Sequence, residues 1–306
     1  LPQRSTDLGR PVDDELFEEI RSAAEVTGSP DAVHAALAVL EGARRSMNDI
    51  PHVVVFDDLA SMATSRETVS YAVRSHTTGG ELVARLGPGG LRTRSIMDRA
   101  LDLLGDRESR PRMVIVDLDE VCQVVGIRGQ SLVDTTHEFD ETSRLISARG
   151  PGAVSPGLRR ALAAASGDGD QVDELLATSS GLACIEDDPL TMEDLAGQVQ
   201  EGTYGSASRM LFDQIIREIG GQLTLMGGID ALVFSGDVGA GSASMRAMIT
   251  TRLRIFKIQV NEQLNEAARD AEDITAEGSR IRVLVVPQDC SREVALETAR
   301  LVEDGD

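Results

Sequence analysis

The residues with the clearest chemical potential are glycines. Gly236, Asp237, Val238, Gly239, Ala240, Gly241 and Ser242 follow an apolar run at 230–236 and lead into a helical pattern over 242–255. A glycine turn between a strand and a helix presents backbone amides at the positive end of a helix dipole, where an anion or a nucleotide can be received. The same pattern also serves tight strand–helix packing, and both readings stand. Carboxylates form the second group. Asp57 and Asp58 close "PHVVVFDD" (51–58), as in a buried strand whose C-terminal end meets a cleft. Asp117, Asp119 and Glu120 crowd the turn after "MVIVDL" (113–118). Such a cluster either holds a divalent cation or is a solvated turn, and the solvated turn is the simpler expectation.

Composition narrows the partners. Lys and Arg number 30 against 51 Asp and Glu, a net charge of −21 over 306 residues. A nucleic-acid partner is not expected without a basic stripe. No apolar run approaches the roughly 18 residues of a membrane helix, so no membrane association is expected either. Cys122, Cys184 and Cys290 lack CxxC spacing, which indicates neither a disulfide framework nor a zinc site and favours a reducing, cytoplasmic setting. The first residue is Leu1, so a longer polypeptide can precede it.

The elements that would carry these residues alternate. Helices are expected over 12–25, 30–46 and 93–105, the last closed by Gly105, and the turn-rich "SHTTGGELVARLG" (75–87) is expected to run into another. Three β segments, 113–118, 121–128 and 131–136, are joined by short polar turns and read as an antiparallel meander. Helices fill 156–227. Strands follow at 230–236 and 281–287, and Ser291 can cap a closing helix over 291–302. This order predicts an α/β fold whose sheet has an antiparallel edge, the arrangement of an actin-like, ribonuclease H-like ATPase domain.

Longer stretches carry a resemblance. "GGIDALVFSGDVGAGSASMRAMI" (227–249), "RIRVLVVPQDCSREVALETARLV" (280–302), "PHVVVFDDLASMA" (51–63) and "LLATSSGLACI" (175–185) resemble the acetate kinase family of short-chain carboxylate kinases. The resemblance implies a cytoplasmic homodimer with two lobes, in which Mg2+ and ATP phosphorylate a short-chain carboxylate to an acyl phosphate. It places residues 1–61, completed by 292–306, in an incomplete N-terminal lobe, and 62–291 in the second lobe. It assigns Asp57 to the metal and phosphates, and His76 to the first His of a His-Gly-Thr-Ser-His turn that stabilises the transferring phosphoryl group. Gly236, Asp237, Gly239, Gly241 and Ser242 become the nucleotide-facing loop.

Other family positions are replaced. His-Leu-Gly-Asn-Gly-Ala-Ser falls on Asp117, Leu118, Asp119, Glu120, Val121, Cys122 and Gln123. A transition-state Arg falls on Gly150, a nucleotide-contacting Arg on Glu193, and a metal-linked Glu on Cys290. Phosphoryl transfer depends on positioned charge, so these changes predict impaired transfer. The alternative is an inactive pseudokinase acting as a nucleotide sensor, scaffold or interaction protein.

Overall fold

The computed structural model describes residues 9–27, 30–47, 50–57, 59–65, 69–74, 80, 82–85, 89–105, 107–138, 143–185 and 190–303. The chain opens with strand β1 (Gly9–Pro11), which pairs antiparallel with β2 (Val53–Val55) around an α-hairpin of α1 (Asp14–Thr27) and α2 (Pro30–Ser46). Asp13 caps α1 by accepting the Leu16 amide at 2.8 Å. Pro30 opens α2 at the position where its missing N–H costs nothing. The expected buried strand at 51–58 is a three-residue, half-buried ribbon whose strand neighbour among the described residues is β1.

A second hairpin follows, β3 (Ser70–Arg74) against β4 (Leu82–Ala84). The helix expected toward residue 87 is therefore replaced by strand at 82–84. Pairing with β3 overrides the local helix propensity of that stretch. Helix α3 (Gly90–Leu104) ends at Gly105, whose φ of 73° suits a left-handed C-cap.

The meander is present as β5 (Arg112–Asp117), β6 (Gln123–Arg128) and β7 (Ser131–Thr135). After the helices α4 (Pro156–Ser166), α5 (Gly169–Thr178), α6 (Met192–Glu201) and α7 (Ser206–Met226) come β8 (Ala231–Ser235), α8 (Gly236–Gly241), α9 (Ala243–Arg252), α10 (Glu262–Ala267), β9 (Glu272–Asp273), β10 (Arg282–Val285) and α11 (Cys290–Glu303). The six-stranded sheet runs β7-β6-β5-β8-β10-β9, with β5, β8 and β10 parallel.

Strand side chains alternate between the two faces. Val114, Val116, Leu232, Phe234 and Val283 pack with Leu211, Phe212, Ile215 and Ile219 of α7, while Met113, Ile115, Val233 and Leu284 pack with Ile96, Met97 and Leu101 of α3. Each fully buried side chain of this size contributes about 1.5–3 kcal/mol relative to exposure. Burial on both faces explains the continuous apolar runs of the parallel strands. The closing helix begins one residue earlier than expected. Its cap is Asp289, which accepts the Arg292 amide at 3.0 Å, and Ser291 lies within the helix.

Candidate functional site

The C-terminal ends of β5, β8 and β10 converge beside α8, and a cleft of about 1050 Å³ opens there between α6, α8, α9 and α10. Parallel strand ends of an open α/β sheet are the usual place for a ligand. The expected glycine turn is itself a short helix, α8. Its start admits glycine alone. Gly236 has φ 79°, and a β-carbon there would lie 2.6 Å from Asp117 Oδ1 and closer still to the Leu118 carbonyl. That carbonyl accepts the amides of Val238 at 3.1 Å and Gly239 at 3.3 Å, so these two amides of α8 are bonded within the protein.

Gly236, Asp237, Gly241 and Ser242 line the cleft. Gly239 packs behind it, where an added β-carbon would meet the Val116 carbonyl at 3.4 Å. Ser242 caps α9 by accepting the Met245 amide. Arg246, 1% exposed, supports this arrangement from below. It donates to the carbonyls of Gly239 (3.0 Å) and Ala240 (2.5 Å), and to Asn265 Oδ1 (2.7 Å) and Asn265 O (2.6 Å). Burial, with Arg269 nearby, lowers its guanidinium to about 10, still cationic at neutral pH.

Beside the C-terminal end of β5, behind Gly236 and outside the cleft lining, lies an arginine that sequence reasoning missed. Arg92, from the first turn of α3, donates from Nε to Asp117 Oδ2 at 2.5 Å and from Nη2 to Asp117 Oδ1 at 2.9 Å. Nη2 also reaches Asp119 Oδ2 at 2.6 Å. Burial alone would lower the Arg92 guanidinium, but Asp117 and Asp119 overcome it and raise it above its ordinary value. Burial pushes the Asp117 carboxyl up despite Arg92. The solvated-turn expectation is thus corrected: Asp117 is buried, Asp119 is partly buried, and Glu120 alone of the three is exposed. Asp117 ends a strand whose core position is fixed by its neighbours, and burial at that place demands a cation.

Asp57 is exposed, and its Oδ1 accepts the Leu91 amide at 2.7 Å, capping the start of α3 from 34 residues upstream. His76 lies outside the described residues. The segment containing it was expected to enter a helix but is followed by β4. The helix that does begin beside Asp57 and Asp117 is α3, opened by Gly89, Gly90, Leu91, Arg92 and Thr93. Cys290, at the start of α11, lies within electrostatic reach of Arg92, Asp57 and Asp117, and burial pushes its thiol up. His137 is buried and bonds Gln123 at 2.7 Å, as a structural histidine would.

Magnesium needs several free oxygen donors facing one point. Oxygens of Asp117 and Asp119 turn to Arg92, one Asp57 oxygen accepts an amide, and no group of three or more His, Cys, Asp or Glu that could hold a metal gathers among the described residues. These residues, as arranged, do not fit the ion.

Sheet order, strand directions and cleft define an actin-like ATPase fold. The description "Acetokinase family" matches residues 9–296, and the chain belongs to that family. It is 26% identical over 303 residues to an acetate kinase of Corynebacterium jeikeium, covering 95% of this chain and 73% of that protein. A propionate kinase of Edwardsiella piscicida is 28% identical over 295 residues, with 95% and 73% covered. The crystal structure of acetate kinase from Entamoeba histolytica superposes with a TM-score of 0.84 at 19% identity, covering 99% of this chain and 79% of that one. Among the described residues no helix is long and apolar enough to cross a membrane.

Proposed function

We propose that this protein keeps the ligand cleft of the acetokinase fold and has lost most of the capacity to move a phosphoryl group between Mg-ATP and a short-chain carboxylate. It is a pseudokinase, with acyl-phosphate formation as a residual activity at most. The observation that carries this reading is the Arg92–Asp117–Asp119 cluster. In phosphoryl transfer, cations and donors must face the transferring oxygens, and here the arginine at that end is held by two carboxylates of its own chain. Loss of one positioned donor at such a centre costs about 10²–10³-fold in rate. The replacements at Gly150, Glu193 and Cys290 act in the same direction.

Within this reading, Gly236, Asp237, Gly239, Gly241 and Ser242 form the nucleotide-facing loop. Asp57 serves as a helix cap, and His76 is the group that any residual phosphoryl transfer would use, as the resemblance implies. The lobe division at residues 61 and 292 is supported by the packing of α11 on β1 and β2. A homodimer built on 156–225 is supported by exposed Leu158, Leu175, Met210 and Leu225 on α4, α5 and α7. Three free cysteines suit a cytoplasmic setting.

The test is an acyl-phosphate assay with Mg-ATP and acetate or propionate, run beside a conventional acetate kinase. The expected turnover is lower by at least about 10³-fold. Turnover within ten-fold of the reference would overturn the proposal.

A further inference from the structure

Away from the cleft, α3 and α11 pack together and leave a cavity of about 220 Å³ lined by Leu91, Arg94, Glu293, Leu296, Glu297 and Arg300. It shares no lining residue with the cleft of about 1050 Å³, and its volume suits a molecule much smaller than a nucleotide. The face that α11 buries is charged. Glu293 and Glu297, one turn apart, are 6% and 8% exposed, whereas Val294 and Leu296 lie open to solvent. Carboxylates buried to this degree need partners.

Those partners are unequal. Glu297 is satisfied by Arg300, whose Nε and Nη2 donate to Oε2 at 3.1 Å and Oε1 at 2.7 Å. Glu293 accepts one bond, from Arg292 Nη1 to Oε1 at 3.1 Å, and Oε2 has no hydrogen-bond partner among the described residues. Burial, with Asp98 nearby, pushes the Glu293 carboxyl up against the pull of Arg292 and Arg94. Arg94, from the other wall, has its Nε buried without a hydrogen-bond partner. It acts on Glu293 electrostatically, yet no hydrogen bond or ion pair joins the two among the described residues. An unpaired guanidinium and an under-bonded carboxylate thus line one small space, whose apolar wall is Leu91 and Leu296.

These charges decide the class of ligand. A simple anion would gain Arg94 and be repelled by Glu293, and a simple cation would meet the reverse. A molecule with a carboxylate and an ammonium group close together satisfies both, through a fork from Arg94 and a charge-assisted bond to Glu293. We infer that the cavity between α3 and α11 binds a free α-amino acid with a small apolar side chain, its carboxylate on Arg94, its ammonium on Glu293 and its side chain against Leu91 and Leu296. The inference does not depend on the pseudokinase reading, because the two sites share no residue.

The experiment is calorimetric titration and thermal unfolding of the whole chain with valine, with valine methyl ester, which lacks the carboxylate, and with isovalerate, which lacks the ammonium. Valine is expected to bind and to raise the unfolding temperature with the logarithm of its concentration. The ester and isovalerate are each expected to bind about ten-fold more weakly or worse. No heat and no shift with valine would overturn the inference.

Two variants locate the binding. Arg94→Met keeps much of the apolar stem and removes a guanidinium whose Nε has no bond to lose, so it is expected to fold as the parent does and to bind valine about ten-fold more weakly or worse. Valine affinity unchanged in Arg94→Met would place the binding elsewhere, and the inference would fall. Glu293→Gln is expected to weaken valine by about five-fold and to leave isovalerate no weaker. Isovalerate as tight as valine in the parent, and lost with Arg94→Met, would make this a plain carboxylate site and overturn the assignment.

Discussion

Two arginines flank the cleft and are held in opposite ways. Arg92, its side chain 25% exposed, is forked onto the carboxylates of Asp117 and Asp119. Arg246, 1% exposed, has carbonyls and an asparagine as its hydrogen-bond partners. The carboxylates raise Arg92 above its ordinary value against the pull of burial, whereas burial lowers Arg246 to about 10. The difference teaches where charge is structural and where it is electrostatic. Arg246 closes the C-terminal end of α8, whose last carbonyls lack helical partners and sit at the negative end of the dipole. Arg92 neutralises acids that the strand end has buried. Removing the first orphans several backbone groups, while removing the second orphans chiefly one buried carboxylate.

The largest effect is therefore expected at Arg246. Arg246→Met leaves the acceptors of Gly239, Ala240 and Asn265 unpaired inside the protein, and a loss of about 3–5 kcal/mol of stability is expected. Arg246→Lys restores the charge without the planar fork and should recover about half of that loss. Denaturant titration of both variants measures it. A loss below about 1 kcal/mol for Arg246→Met would break the comparison, because α8 would then be held by the Leu118 carbonyl alone.

Arg92→Gln comes next, at about 2 kcal/mol near neutral pH. Without the guanidinium, Asp117 keeps its burial and loses the partner that opposes it, so its carboxyl rises further above the ordinary 3.8. A carboxyl raised in the folded state stabilises that state when protonated, and this contribution is lost as pH rises through the folded value. The penalty of Arg92→Gln should accordingly be larger at pH 7.5 than at pH 4.5, and Asp117→Asn on top of it should remove the pH dependence. An equal penalty at both pH values would mean that Arg92 contributes through its hydrogen bonds and contacts, as Arg246 does, and not through the charge of Asp117.

How much of this was legible in the sequence depends on distance along the chain. Helix α2 was placed from Pro30 to Ser46, α3 closed at Gly105, and the β5–β6–β7 meander appeared from its short polar turns, because all three depend on neighbours within a few residues. Strand β4 reads as helix in the sequence since its partner β3 lies outside the local window that sets that reading. The glycines at 236–241 marked the cleft wall, although helix α8 depends on Leu118 and Arg246, which no local pattern joins to them. Arg92 carried no signal at all. It lies 25 residues from Asp117 in a helix that reads as ordinary, and only the position of α3 against the end of β5 brings them together. The acids were visible and their cation was not, so the turn looked solvated.

The smallest effect tests whether burial, and not fork geometry, sets these energies. Arg112 at the start of β5 makes nearly the same fork to Asp230, with Nη2 to Oδ1 at 2.9 Å and Nε to Oδ2 at 3.2 Å, but the two side chains are 33% and 44% exposed. The bonds from Arg112 hold the Asp230 carboxyl below its ordinary 3.8. A carboxyl lowered in the folded state contributes stability above the unfolded value, and that contribution is lost as pH falls through the folded one. Asp230→Asn should thus cost under about 1 kcal/mol at pH 7, less in high salt, and the gap from the parent protein should close below pH ~3.8. Denaturant titrations at pH 7 and pH 3, each in low and high salt, would show it. A loss as large as that of Arg92→Gln would mean that the fork itself carries the energy. The contrast between the buried and exposed arginines would then rest on geometry, with burial reduced to a minor influence.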